Sequence, residues 1–171
     1  MKKVINLTRG METEKMTKVQ LTMLLGAAFF AANVNALSPD AKEGKELYPA
    51  CNVCHDQALN PPKGPPMWGV QRRYKKYSLD EKAFVENIVN FVKAPSLTLA
   101  KHSQAVKQLG LMPPMPLPDE VLRKIATYIL EENFPPPCDH WQIAITRAEE
   151  KEDMEHVQKD RKMYKRFCSQ N

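Results

Sequence analysis

The placement of fourteen prolines limits what this chain can fold into more than any other feature. Proline lacks a backbone N–H and fixes its own φ, so it is excluded from helix interiors and from central strands. Pro61, Pro62, Pro65 and Pro66 form one cluster, Pro113, Pro114, Pro116 and Pro118 a second, and Pro135 to Pro137 a third. The segments between them are short, show helical spacing of apolar residues, and give no convincing strand pattern or internal repeat. The expected class is all-α.

Capping residues refine the divisions. Ser38, followed by Pro39 and Asp40, has the form of an N-cap with proline in the first turn. It predicts a helix over 39–51 with Gly44, Leu47 and Tyr48 inward. Residues 56–70 predict an irregular loop. Ser78-Leu79-Asp80-Glu81 has the pattern of a capping box opening a helix to about residue 93, with Phe84, Ile88, Val89, Phe91 and Val92 inward. Ala94-Pro95 stops it. A helix over 97–109 follows, with Leu99, Val106 and Leu109 inward and Gly110 as terminator. Another spans 119–132, carrying Val121, Leu122, Ile125, Tyr128 and Ile129 at helical spacing. Beyond the stiff triple-proline spacer, residues 139–167 contain no Gly or Pro and predict one long charged helix.

Residues 19–36 form an uncharged apolar run, shorter than the roughly 20 residues of a comfortable bilayer span. The run ends in Val34-Asn35-Ala36, a small-residue cleavage pattern, so an export signal over 1–36 is expected rather than an anchor. Glu12 and Glu14 are out of place in a positive leader, and Met16 gives a cleaner start. Removing residues 1–36 takes the formal charge from +5 to +2, which makes nucleic acid a poor partner. Export, to the periplasm in this reading, also permits disulfides.

Cys51-Asn52-Val53-Cys54-His55 is the motif that carries chemistry. A redox dithiol is expected beside a βαβ pattern, which is missing here. A zinc site needs four N/S ligands, and Cys138 and His140 are the candidates to complete one with Cys51 and Cys54. The third chemistry, covalent haem attachment, uses every residue of the motif: two thioethers from the cysteines and an iron ligand from His55. It needs a second axial ligand and a pocket wall.

Residues 38–133 carry both in order: Gly44 and Tyr48 in the first helix, "CNVCH", "KGPPMWGV", then "GLMPPMPLPDEVLRKIATYIL". In this the sequence resembles the class I c-type cytochromes, small single-haem electron carriers. The resemblance implies a helical domain around one haem c, with Gly44, Tyr48 and Tyr128 at the crossing of first and last helices. It implies Pro65 packed near the proximal His55, and Met112 as the distal ligand. Met115, also followed by proline, is the rival; counting from Met112 places Leu117, Pro118 and Asp119 where the family has an apolar residue, a cap and an acid. Pro118 departs from the usual Ser or Thr cap. Trp68 has two readings, a haem-edge residue whose indole bonds a propionate or a core residue, and Arg72 and Arg73 are further propionate candidates. Prolines around the ligand restrict the loop beforehand and lower the entropy cost of holding a weak thioether. His/Met ligation and haem burial raise the reduction potential.

The implied function is one-electron transfer by a non-enzymatic carrier, between a dehydrogenase or quinol-oxidising complex and a terminal oxidase or reductase. Two alternatives stay open: a haem-bearing subunit of a multisubunit oxidoreductase, with residues 138–171 as a docking arm, and a redox or gas sensor. His102 and His140 are expected as solvated or capping residues. Residues 71–77, "QRRYKKY", are either a docking patch for an acidic redox partner or an ordinary solvated turn. The expected division is 1–36 signal peptide, 37–134 cytochrome domain, and 135–171 spacer and tail. A continuous helix would hold Cys138 and Cys168 about 45 Å apart, whereas a disulfide needs Cα atoms within about 7 Å. Either the helix folds back without Gly or Pro, or the two cysteines do not pair within the chain. The bent, bonded form is favoured, because free thiols are a liability in an oxidising compartment.

Overall fold

The computed structural model describes residues 36–169, and eight helices without a strand account for the regular structure among them. The apolar run expected to be an export signal, apart from Ala36, and the acidic pair Glu12 and Glu14 lie outside the described residues. Among the described residues no helix is long and apolar enough to cross a membrane.

Helix α1, Pro39–Leu47, begins as its sequence dictates. Ser38 Oγ accepts from the Ala41 N–H, and Asp40 places negative charge in the first turn, where the helix dipole favours it. The same serine donates to Glu131 at 2.7 Å, tying the start of α1 to the far end of the chain's central helix. The expected single helix over 39–51 is instead two. Pro49 has no N–H to continue α1, so α2 restarts as Pro49–His55. Leu47, expected inward, is exposed.

The expected loop over 56–70 ends early, because α3 spans Met67–Tyr77. Met67, Gln71 and Tyr74 are its buried residues, spaced i, i+4, i+7 on one face. The "QRRYKKY" stretch is therefore helix, and not a turn. Helix α4 is Glu81–Lys93, capped by Asp80, whose carboxylate accepts from the Ala83 N–H at 2.7 Å. Ser78, expected as the cap, instead bonds the Asn87 side chain. The expected helix over 97–109 is reduced to α5, Ser103–Leu109; a turn occupies 97–99, and Leu97 and Leu109 are exposed.

Helix α6, Asp119–Glu131, is the central element and packs against both α1 and α4. Phe84, Ile88 and Val89 of α4 meet Leu122, Ile125 and Ile129 of α6, with Met67 and Tyr74 of α3 completing the core. Each such side chain removed from water contributes about 1.5–3 kcal/mol. Lacking a glycine to end it, α6 is capped by Gln71, whose buried amide donates to the Ile129 and Glu132 carbonyls, both at 2.7 Å. Those carbonyls have no partner inside the helix, so a polar side chain in the core is satisfied rather than costly.

The tail is not one helix. It forms α7, Cys138–Glu150, and α8, Met154–Phe167, packed against each other as a hairpin. The reversal occurs at Glu152, which has φ 56°, and Asp153 caps the new helix by accepting from the His156 N–H. Cys138 and Cys168 are bonded, with Cα atoms 5.9 Å apart. The bent, bonded arrangement is therefore the one formed. Trp141 of α7 and Phe167 of α8 pack on Trp68 of α3, with ring centroids 5.5 and 5.1 Å away, so the tail lies on the domain rather than reaching away as an arm.

Candidate cofactor-binding site

The site is built on α2 and the loop that follows it. Pro49 starts the helix and Asp56 ends it, its N–H bonded to the Asn52 carbonyl. One helical turn thus carries Cys51, Cys54 and His55. Cys51 and Cys54 are three residues apart and share a face. Both are free thiols, Cys51 partly buried and Cys54 exposed. Burial raises the Cys51 thiol pKa, keeping it protonated at neutral pH. Behind the helix, Tyr48 meets Tyr128 edge to face at 5.1 Å and Phe134 at 5.8 Å. Gly44 makes this crossing possible: a Cβ there would lie 2.0 Å from the Lys124 carbonyl oxygen. The expected Gly44, Tyr48 and Tyr128 contact is thus formed. Burial pushes the Tyr128 phenol to about 12, with the Glu132 carboxylate acting in the same direction, and burial also raises Tyr48. Both stay neutral.

His55 is the best defined member. Its Nδ1 lies 2.7 Å from the Pro65 carbonyl oxygen. A carbonyl only accepts, so Nδ1 carries the proton. Burial lowers the imidazole pKa against the opposing effect of that bond, so the ring is neutral and its lone pair sits on Nε2. That is the state in which a histidine coordinates a metal, with the second nitrogen anchored to fix tautomer and orientation. Gly64 leaves room for the ring: a Cβ there would lie 2.9 Å from the Cys54 carbonyl and 3.2 Å from His55 Cε1. Beside this, Gln57 Oε1 is buried with no hydrogen-bond partner.

Met112 is half-buried in the irregular segment between α5 and α6, as is Met115. The Met115 N–H donates to the Val92 carbonyl at 3.0 Å and the Leu117 N–H to the Met115 carbonyl at 2.9 Å, pinning this proline-rich loop to the end of α4. Trp68 belongs to the aromatic contact with the tail, with the Arg72 guanidinium 4.7 Å above its ring. The structure therefore gathers Cys51, Cys54, His55 and Pro65 in one locality, places Met112 in the loop before α6, and gives Trp68 a packing role.

The competing chemistries fare differently. The disulfide consumes Cys138, so the four-ligand zinc set with Cys51, Cys54 and His140 is not available. No strand flanks the Cys-x-x-Cys turn among the described residues, so the fold lacks the setting of a thioredoxin-like dithiol. His102 is a capping residue, its Nδ1 accepting from the Ala105 N–H at 3.3 Å, while His140 is half-buried against α8 with its pKa lowered, chiefly by burial. Sequence reasoning missed Gln71, although its i, i+4, i+7 spacing with Met67 and Tyr74 was visible; the surrounding Arg and Lys concealed it.

No family model, curated protein or solved structure matches the chain.

Proposed function

We propose that this chain is a periplasmic one-electron carrier with a single covalently attached haem, resembling the class I c-type cytochromes. The observation that carries the reading is the His55–Pro65 bond, directly behind a Cys-x-x-Cys pair on one helical turn. It puts the proton on Nδ1 and, with burial keeping the ring neutral, leaves Nε2 free in the one residue that the attachment motif assigns to iron.

The residues present fit the group. Cys51 and Cys54 would form the two thioethers, and His55 and Met112 would be the axial ligands. A soft thioether and an imidazole together suit an iron that changes oxidation state without losing ligands. The haem supplies the one-electron chemistry. The chain's own part is to hold His55 in one tautomer, to keep it neutral by burial, and to restrain the Met112 loop through Pro113, Pro114 and the Met115–Val92 bond. Gly64 keeps the loop close enough for the Pro65 carbonyl to reach the ring. Partners on this reading are an upstream dehydrogenase or quinol-oxidising complex and a downstream oxidase or reductase. Because the C-terminal hairpin packs on α3, the free-carrier reading is preferred to one in which residues 138–171 form a docking arm.

Coexpression with a c-type haem maturation system, followed by mass spectrometry and absorption spectroscopy, tests the reading. One haem should remain after denaturation, and Cys51→Ala with Cys54→Ala should abolish its attachment. The oxidised protein should show the weak long-wavelength band of methionine–iron ligation. That band should vanish in Met112→Ala and persist in Met115→Ala. Failure to retain any haem overturns the proposal, and the reverse pattern of the two methionine variants reassigns the distal ligand.

A further inference from the structure

Seven lysines and arginines line one cleft between α3, α5 and the α7–α8 hairpin, a space of about 1110 Å³. Arg72, Arg73, Lys75 and Lys76 come from α3, Arg147 and Lys151 from α7 and its end, and Lys159 from α8. Only two carboxylates, Asp153 and Asp160, share the lining. Asp153 is already bonded to His156 at 2.7 Å. Burial raises the pKa of Asp160, against the pull of Lys159 and the histidines His156 and His140.

Some cations elsewhere are neutralised locally, whereas others stand singly on the surface. Lys93 pairs with Asp119, Arg123 with Glu86, and Lys124 with Glu43 and Glu120. None of the seven cleft cations has a carboxylate partner within ion-pair distance among the described residues. A chain with a net charge near +2 outside its leader therefore concentrates unpaired positive charge at one concave place. The repulsion is relieved when an anionic group enters. The cations stand on both walls, so they meet an occupant from two sides. A single small anion would reach only a few of them, and the space exceeds the roughly 300–1,000 Å³ of ordinary small-molecule pockets.

We infer that the cleft binds an acidic segment of a partner protein, gripped between α3 and the C-terminal hairpin. The hairpin's purpose is then clear in physical terms: it supplies the second wall. The cleft also reaches the candidate redox site, because Gly64 and Pro65 both line it and both touch His55. An occupant would contact the loop behind the histidine. The identity of the partner as a redox protein rests on the proposed function, whereas the binding itself does not.

Calorimetric titration of the full chain with a polyglutamate peptide of about ten residues, at low salt, tests the inference. Binding should weaken at least about tenfold in the double variant Lys76→Glu, Lys159→Glu, which reverses one charge on each wall. The charge-matched control Lys42→Glu, Lys45→Glu on α1 should bind within about twofold of the unaltered chain. Thermal melts verify that both variants fold, and the unaltered chain should itself lose affinity steeply as salt rises past about 0.15 M. Equal weakening in both variants would show a net-charge effect and overturn the inference, as would no peptide binding at all. Displacement of the peptide by inorganic phosphate at equimolar concentration would overturn it in favour of a small-anion site. A chain that binds the peptide but carries no haem keeps this inference and overturns the proposed function; a haem-bearing chain that ignores the peptide does the reverse.

Discussion

The backbone of Gly44 lies so close to that of Lys124 that an added Cβ would sit 2.0 Å from the Lys124 carbonyl oxygen and 2.5 Å from its carbon. Both neighbours are backbone atoms in packed helices, so neither can swing aside as a side chain would. In an exposed helix interior, Gly→Ala would be stabilising by up to about 1 kcal/mol. Here overpacking wins. Gly44→Ala should force α1 away from α6 and cost about 2–3 kcal/mol, seen as a lower denaturant midpoint. The Tyr48–Tyr128 contact should loosen with it, so near-ultraviolet circular dichroism should weaken in parallel. An unchanged midpoint would mean that the two helices cross less closely than described.

The same crossing explains why the core was legible in the sequence. The inner faces of α4 and α6 follow the 3.6-residue period, and Phe84, Ile88, Val89, Leu122, Ile125 and Ile129 are buried where that period puts them. Non-periodic features were harder. The break at Tyr48 follows from Pro49, yet proline at a first helical position and proline inside a helix look alike until tertiary packing selects one. Gln71 was hidden because a polar residue among arginines and lysines reads as surface; only the orphan carbonyls at the end of α6 explain its burial. In the site, the Cys-x-x-Cys-His turn was visible as a motif and the resemblance put Pro65 near His55, but the bond to the ring comes from the Pro65 backbone carbonyl, for which residue type carries no signal.

The turn in the tail is the other place where local chemistry yields to the fold. Glu152 takes a left-handed conformation at φ 56°, which costs a residue with a Cβ about 1–2 kcal/mol. The Asp153 cap and the Cys138–Cys168 bond hold it there. Glu152→Gly removes the steric cost but adds freedom to the unfolded chain, so a net gain of roughly 0.5–1 kcal/mol is expected. Conversely, replacing both Cys138 and Cys168 with serine should cost about 3–4 kcal/mol for a loop of this length. Denaturant melts of the two variants, followed by the fluorescence of Trp68 and Trp141, should shift in opposite directions. Shifts of the same sign would contradict the role given to Glu152.

His102 links α5 to pH. Its Nδ1 accepts from the Ala105 N–H, and burial, together with the charges of Arg73 and Lys159, lowers its pKa. A depressed folded-state value means the unfolded chain binds the proton more readily. The stabilisation is therefore complete above the unfolded value of about 6.5 and is lost as pH falls through the lower folded value. Protonation removes the acceptor, so the helix also loses its cap, worth about 1 kcal/mol. His140 acts in the same direction, while Asp160, raised by burial, acts in the opposite one. Comparison with His102→Asn, which caps without titrating, isolates the effect. The protection factor of the Ala105 amide, with the intrinsic pH dependence of exchange divided out, should fall between pH 7 and 5 in the unaltered chain and stay constant in the variant.

Gly64 offers the most direct probe of how the chain holds His55. An added Cβ would meet the Cys54 carbonyl at 2.9 Å and the His55 ring at 3.2 Å, so Gly64→Ala should push the proline loop outward and lengthen the 2.7 Å Nδ1–Pro65 bond. Gly69→Ala is the control, since its Cβ would stand 3.6 Å from His102 Nε2, an ordinary contact. The Gly64 variant should lose about 1–3 kcal/mol of stability through overpacking, and the control should change little. Stability alone would not separate a ligand-orienting loop from a merely packed one. On the proposed function, weakening the Nδ1–H bond would make the imidazole a poorer electron donor to an attached haem and would disfavour its oxidised iron. The reduction potential should then rise in Gly64→Ala and stay constant in Gly69→Ala. A destabilised Gly64 variant with an unaltered potential would leave the Pro65 carbonyl as packing and remove it from the tuning of His55.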